Sequence, residues 1–275
     1  MADFGPHEGD LRAHHGLVVA TPGATANTKG SWASFGGGTP DRAEGFYFST
    51  AMLGNIGTIR TMLMDIGVGS GPTPIISNLM VCPPHANSTT LPRSVAEHVF
   101  FPVALPPGET IKMRAQTNVA SHDVIYAYIM PMKSGLPCVG SVVDTYGAVT
   151  SSDSKGTTLT APNTDGGYGS WVPVSASCER IKALMVAVGH GQADWSTFGD
   201  QWAGVQVGIG GSGSEVEVVR IIDIGTGSGI RTPSQSIFGP YYLDIPAGTR
   251  LSARVAKQHA SSSQRTIDVI LYGIR

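Results

Sequence analysis

The sequence predicts an all-β protein of two tandem jelly-roll-like β-sandwich domains that arose by internal duplication. Three observations carry this. Only 14% of residues are charged and 36 of 275 are Gly, a composition unlike that of helical bundles. Val, Ile, Thr, Ser, Gly and Pro punctuate the chain every few residues, as many short strands require. Finally, the stretch Leu105-Pro106-Pro107-Gly108-Glu109-Thr110-Ile111-Lys112-Met113-Arg114-Ala115 has a counterpart 140 residues later, Ile245-Pro246-Ala247-Gly248-Thr249-Arg250-Leu251-Ser252-Ala253-Arg254-Val255. Each copy reads as a strand ending on a turn, with Pro presetting φ and Gly taking a left-handed conformation, then a strand with apolar residues at alternate places.

Residues 1–20 are polar and Gly/His-rich before Leu17-Val18-Val19-Ala20, and read as an N-terminal arm. Phe4, Arg12 and Leu17 are its candidate anchoring residues. The first sandwich is expected over residues 21–132 and the second over 159–275, with a Gly/Ser/Thr/Val-rich linker at 133–158 carrying short strands of its own.

Register fixes the repeat. Gly30-Ser31-Trp32 matches Gly169-Ser170-Trp171 at an offset of 139, and Ile66-Gly67-Val68-Gly69 matches Val207-Gly208-Ile209-Gly210 at 141. Asn78-Leu79-Met80 then lies opposite Arg220-Ile221-Ile222 at 142. Pairing the heptapeptides that start at Asp65 and Asp223 looks better locally. Its offset of 158, however, demands an insertion that vanishes again before the Pro-Gly turn. On the first alignment each unit contains strands at 62–68 or 203–209, 74–81 or 215–222, 99–105 or 239–245, 111–117 or 251–257, and 124–130 or 266–272. The Trp strand and the one after it complete a sandwich.

Enzyme templates fail on their spacing. Gly208-Ile209-Gly210-Gly211-Ser212-Gly213 fits G-x-G-x-x-G, but an alternating β-type run from Glu215 follows where a dinucleotide site needs a helix N-terminus. No Ser sits in G-x-S-x-G, and neither H-E-x-x-H nor a Walker loop occurs. The chain is therefore expected to have no catalytic, metal or cofactor residues. The net charge of −2 gives no basic face for nucleic acid, and no apolar run reaches membrane-spanning length. Cys82, Cys138 and Cys178 form no C-x-x-C pair and read as buried free thiols of a protein made in a cytoplasm. One loop-like aromatic cluster remains, in which His190, Asp194, Trp195, Phe198 and Trp202 could stack on and hydrogen-bond to a sugar ring, or else pack on a neighbouring subunit.

The grammar of each unit resembles the small auxiliary head or tail virion proteins of tailed bacteriophages, which have β-sandwich domains. The residues that carry the resemblance are Met64-Asp65-Ile66-Gly67-Val68-Gly69 with Phe100-Phe101-Pro102-Val103-Ala104-Leu105-Pro106-Pro107-Gly108, then Val207-Gly208-Ile209-Gly210 with Tyr241-Tyr242-Leu243-Asp244-Ile245-Pro246-Ala247-Gly248. The first copy departs from the pattern at Pro72-Thr73-Pro74, where the second has Ser214-Glu215-Val216. The resemblance implies a structural, non-enzymatic role in the virion as a homotrimeric capsid decoration (cement) protein. Its partners would be the major capsid protein or other virion proteins. The rival expectation is a head-fibre or tail-fibre module whose partner is host-surface polysaccharide.

Overall fold

The computed structural model describes residues 18–39, 43–53, 62–81, 97–118, 120, 124–132, 138–190, 201–226, 237–257 and 265–275. Among them every named element is a strand. The first half contains β1 (Val18–Ala20), β2 (Ala33–Gly38), β3 (Gly45–Leu53), β4 (Met62–Val68), β5 (Thr73–Val81), β6 (Glu97–Phe101), β7 (Thr110–Thr117) and β8 (Val124–Met132). They form two antiparallel sheets of order β1-β8-β3-β6 and β2-β7-β4-β5. After β9 (Val143–Tyr146), the second half contains β10 (Thr157–Ala161), β11 (Val172–Ser175), β12 (Ile181–His190), β13 (Gln201–Ile209), β14 (Val216–Thr226), β15 (Ile237–Ile245), β16 (Leu251–Lys257) and β17 (Arg265–Ile274). Its sheets run β10-β17-β12-β15 and β11-β16-β13-β14, the same order strand for strand. Eight strands that pass between two facing sheets in this order, with one hairpin (β4–β5 or β13–β14) kept within a sheet, make a jelly roll, and the chain has two.

Alternation drives the local structure. In β7, Ile111, Met113 and Ala115 are buried while Lys112 and Arg114 stand on the other face. β16 repeats this with Leu251, Ala253 and Val255 inward. The turn ahead of each strand uses Gly in the left-handed region, Gly108 at φ 73° and Gly248 at φ 83°. Both turns are latched by paired backbone hydrogen bonds. Thr39 N–H donates to Glu109 O and Gly108 N–H to Thr39 O, at 2.9 and 2.7 Å. In the second half Cys178 N–H donates to Thr249 O and Gly248 N–H to Cys178 O, at 2.9 and 2.8 Å.

The segment read as a linker is built into both halves. Gly140 bridges in parallel to Val103 of the first sandwich. β9 then joins the second as an extra strand on β17, with Tyr146 opposite Leu271. Cys138 lies on this segment and is exposed, contrary to the expectation of burial, because the crossover runs over the surface; Cys178 is buried.

The seam between the sandwiches is a core in its own right. On β17 the odd residues Ile267, Val269 and Leu271 fill the second sandwich. Ile270, Tyr272 and Ile274 instead join the first sandwich's hydrophobic cluster, with Met185 and Ala187 of β12. What they cover is the free edge of β5. The Met80 N–H donates to the Tyr272 hydroxyl at 2.7 Å, and that hydroxyl donates to Asn78 O at 3.0 Å. Thr145 Oγ1 donates to Ser77 O at 2.6 Å. An open sheet edge is thereby satisfied by side chains of the other half.

Candidate functional site

The densest polar arrangement lies on the outer face of the first sandwich, where β4, β5 and β7 meet the β1–β2 loop. Asp65 is buried on β4, opposite Arg114 of β7. Its carboxylate accepts from Lys29 Nζ at 2.6 Å, from Arg114 Nε at 2.8 Å and from the Asn78 N–H at 2.9 Å. Lys29 Nζ also donates to Asn78 Oδ1 at 2.8 Å. Burial by itself would raise the Asp65 pKa, but the charge of Lys29 and the three sets of donors hold it below the ordinary carboxylate value. Burial lowers the Lys29 amine, a fall that Asp65 partly offsets. The Arg114 guanidinium lies 4.6 Å from the Trp32 ring centroid. An open cleft of about 510 Å³ runs along this loop past Val19, Thr21, Lys29 and Trp32.

The second sandwich carries the same scaffold with the Arg kept and the Lys–Asp pair replaced by neutral residues. Arg254 lies 4.2 Å from the Trp171 centroid and 5.1 Å from that of Tyr168, and its Nε donates to Gln206 Oε1 at 2.6 Å. Gln206 stands in for Asp65, and Tyr168 for Lys29. Backbone bonds match as well: Gly30 N–H donates to Ala115 O and Gly169 N–H to Val255 O, both at 2.9 Å. Each Trp presses on a strand glycine, where a Cβ would come within 2.9 Å of Trp32 Cη2 at Gly67 and 2.8 Å of Trp171 Cη2 at Gly208. Only Gly admits the ring. Arg above and Gly below clamp each indole, so the arrangement staples a loop to a sheet and leaves no bare stacking face. Asp65→Ala, which strands two partly buried cations, is expected to lower stability by about 2–4 kcal/mol. Gln206→Ala, which strands only the Arg254 hydrogen bond, should cost about 1 kcal/mol. Equal losses in denaturant melts would count against the charge argument.

The residues singled out from the sequence are placed only in part. His190 ends β12 opposite Ile267, and Trp202 sits on β13 opposite Gly225. Asp194, Trp195 and Phe198 lie outside the described residues, as do Phe4, Arg12 and Leu17 of the arm. The Trp–Arg staples were not foreseen as sites, although both halves of the signal were visible. The Gly-Ser-Trp triplets and the Arg that follows each Pro-Gly turn are the repeat's own landmarks.

A second polar feature sits on the seam face of β17. Asp268 is fully buried; Thr158 Oγ1 donates to its Oδ1 at 2.6 Å, while Oδ2 has no hydrogen-bond partner. Burial raises its pKa to about 6, against the hydrogen bond from Thr158 and the attraction of Lys155. Nearby, Gln116 Nε2 donates to Thr150 O and Ser154 Oγ at 3.0 and 2.9 Å, and Ser154 Oγ donates to Asn27 Oδ1 at 2.7 Å. Among the described residues no group of His, Cys, Asp and Glu is gathered as metal ligands, and no helix is long and apolar enough to cross a membrane.

No family model matches the chain and no curated protein matches it. Among solved structures the chain is similar to that of PNGF-II in a C2 space group, at 10% identity and a TM-score of 0.42. The match covers 90% of this chain and 60% of that one, so the chain spans about 60% of that protein's length.

Proposed function

We propose that the chain is a structural, non-enzymatic component of a tailed-phage particle: a capsid decoration protein that binds where capsid subunits meet. The observation that supports this best is the seam. Two sandwiches joined by a buried apolar cluster, a shared crossover strand and a capped sheet edge behave as one stiff body. A clamp must be stiff, because load applied at one end of a hinge is dissipated in bending. The clamped Trp–Arg staples point the same way, since they fix loops to sheets and leave the surface to do the binding. The common strand order and the matching backbone bonds support internal duplication as the origin of the two halves. On this reading the protein is made in the host cytoplasm, its partners are the major capsid protein and further copies of itself, and the arm that reaches onto the shell is residues 1–17, ahead of β1, because Val18–Ala20 belong to the first sandwich.

The alternative, a head-fibre or tail-fibre module that adheres to host glycans, draws on Tyr168, a half-buried ring whose centroid lies 5.1 Å from the Arg254 guanidinium. Labelled antibody on virions separates the two. A decoration protein marks the head lattice evenly, and removing residues 1–17, which spares β1, lowers its occupancy. Label confined to a fibre or tail tip would overturn the decoration reading.

A further inference from the structure

Within the chain, the free edge of β5 docks on the outer face of β12 and β17. Each sandwich, having the same strand order, owns one such edge and one such face. The contact consumes the edge of the first and the face of the second. Among the described residues it leaves over the face of the first, formed by β3, β6 and β8 with β1 alongside, and the edge of the second, β14.

We infer that these two remaining surfaces bind each other between copies of the chain, the β14 edge of one copy docking head to tail on the β3–β8 face of the next. The inference stands independently of the virion reading.

The remaining face is built for cover. Phe46 and Phe48 of β3 and Ala127 and Ile129 of β8 point into the core, which turns Tyr47, Tyr128 and Met130 outward. These three are half-buried, Tyr47 lies tilted against Phe100 with ring centroids 5.1 Å apart, and Val19 of β1 is 42% exposed. The register also agrees. Tyr47 faces Met130 as Met185 faces Tyr272, so Met130 occupies the position from which Tyr272 caps β5. The counterparts in the second sandwich, Met185, Ile270 and Tyr272, are fully buried in the cluster that also holds Leu79 and Met80 of β5.

The edge matches in turn. β14 is the end strand of its sheet. Arg220 pairs with Gln206 where Asn78 serves Asp65, so Arg220 and Ile222 take the places of the Asn78 and Met80 groups that Tyr272 caps. Val216 on this strand is 64% exposed. A long free edge bearing an exposed Val, in a protein whose other such edge is capped, is a binding element. A contact between different surfaces on the two partners is heterologous, and it closes into a ring when the rotation between copies permits.

Two variants test this. Val19→Lys with Met130→Lys spoils the face; Val216→Lys with Arg220→Glu spoils the edge. Wild-type protein should run as an oligomer in light scattering, and each variant as a monomer with a wild-type circular dichroism spectrum. An equimolar mixture of the two variants should give a dimer and nothing larger, because one good face then meets one good edge. If a double variant melts early, the single changes Val19→Lys and Val216→Lys, both at exposed positions, repeat the test. A monomeric wild type, a variant that keeps the wild-type mass, or a mixture that stays monomeric would overturn the inference.

Discussion

Tyr272→Phe is expected to lower stability by about 2–4 kcal/mol, although it removes a single oxygen from a fully buried ring. The hydroxyl satisfies the Met80 N–H and Asn78 O together, on a sheet edge that the second sandwich seals from water. Phe keeps the apolar burial and leaves both backbone groups without a partner, each at a cost of about 1–3 kcal/mol. Tyr272→Ala should add a cavity cost and bring the total above about 4 kcal/mol. Urea unfolding of the two variants gives the comparison. If Tyr272→Phe loses less than about 0.5 kcal/mol, the hydroxyl is not what satisfies the β5 edge.

Asp268→Asn is expected to remove a pH dependence that the native protein carries between about pH 4 and pH 7. The folded-state pKa of about 6 lies above the ordinary aspartate value of 3.8, so the folded protein holds this proton more tightly than the unfolded chain. Stability from this group is therefore fully present below about pH 4, falls as the pH rises through the folded pKa, and is lost above it. The difference corresponds to about 3 kcal/mol. An Asn amide copies the neutral acid in shape and still accepts from Thr158. The variant should match the native protein near pH 4 and exceed its stability by about 2–3 kcal/mol near pH 7.5. The neighbouring charges, Lys155 and Asp153, act on the carboxylate in opposite directions and do not change the sign. A gap between the two proteins that stayed constant with pH would refute the assignment.

Much of the fold was legible because most sandwich strands have one wet face. Strands such as Ile111–Thr117 and Leu251–Lys257 declare themselves by alternation, and the Pro-Gly turns set their register. The seam was harder to see, since its partners lie about two hundred residues apart in sequence. Its trace was nonetheless present. Ile267-Asp268-Val269-Ile270-Leu271-Tyr272 and Ala183-Leu184-Met185-Val186-Ala187-Val188 are nearly unbroken apolar runs, the mark of strands buried on both faces. The corresponding stretch of β8, Ala127-Tyr128-Ile129-Met130, places Tyr128 and Met130 on its outward side. The Asp65 network was not legible. An Asp in an apolar strand and an Arg beyond a turn identify themselves as partners only once β4 and β7 are known to be neighbours.

The capped edge of β5 also governs the order in which the molecule can be made. β17 leaves the ribosome after every strand of the first sandwich, so a nascent first half must wait with the Met80 amide and the Asn78 carbonyl uncapped. Domains that fold independently during synthesis leave no such interval. Here the amino-terminal half reaches its final state only when the carboxy-terminal strand arrives, and throughout that delay an unpaired strand edge is open to neighbouring nascent chains. Crowded polysomes, more than the finished protein, are where this sequence runs its greatest risk of mispairing.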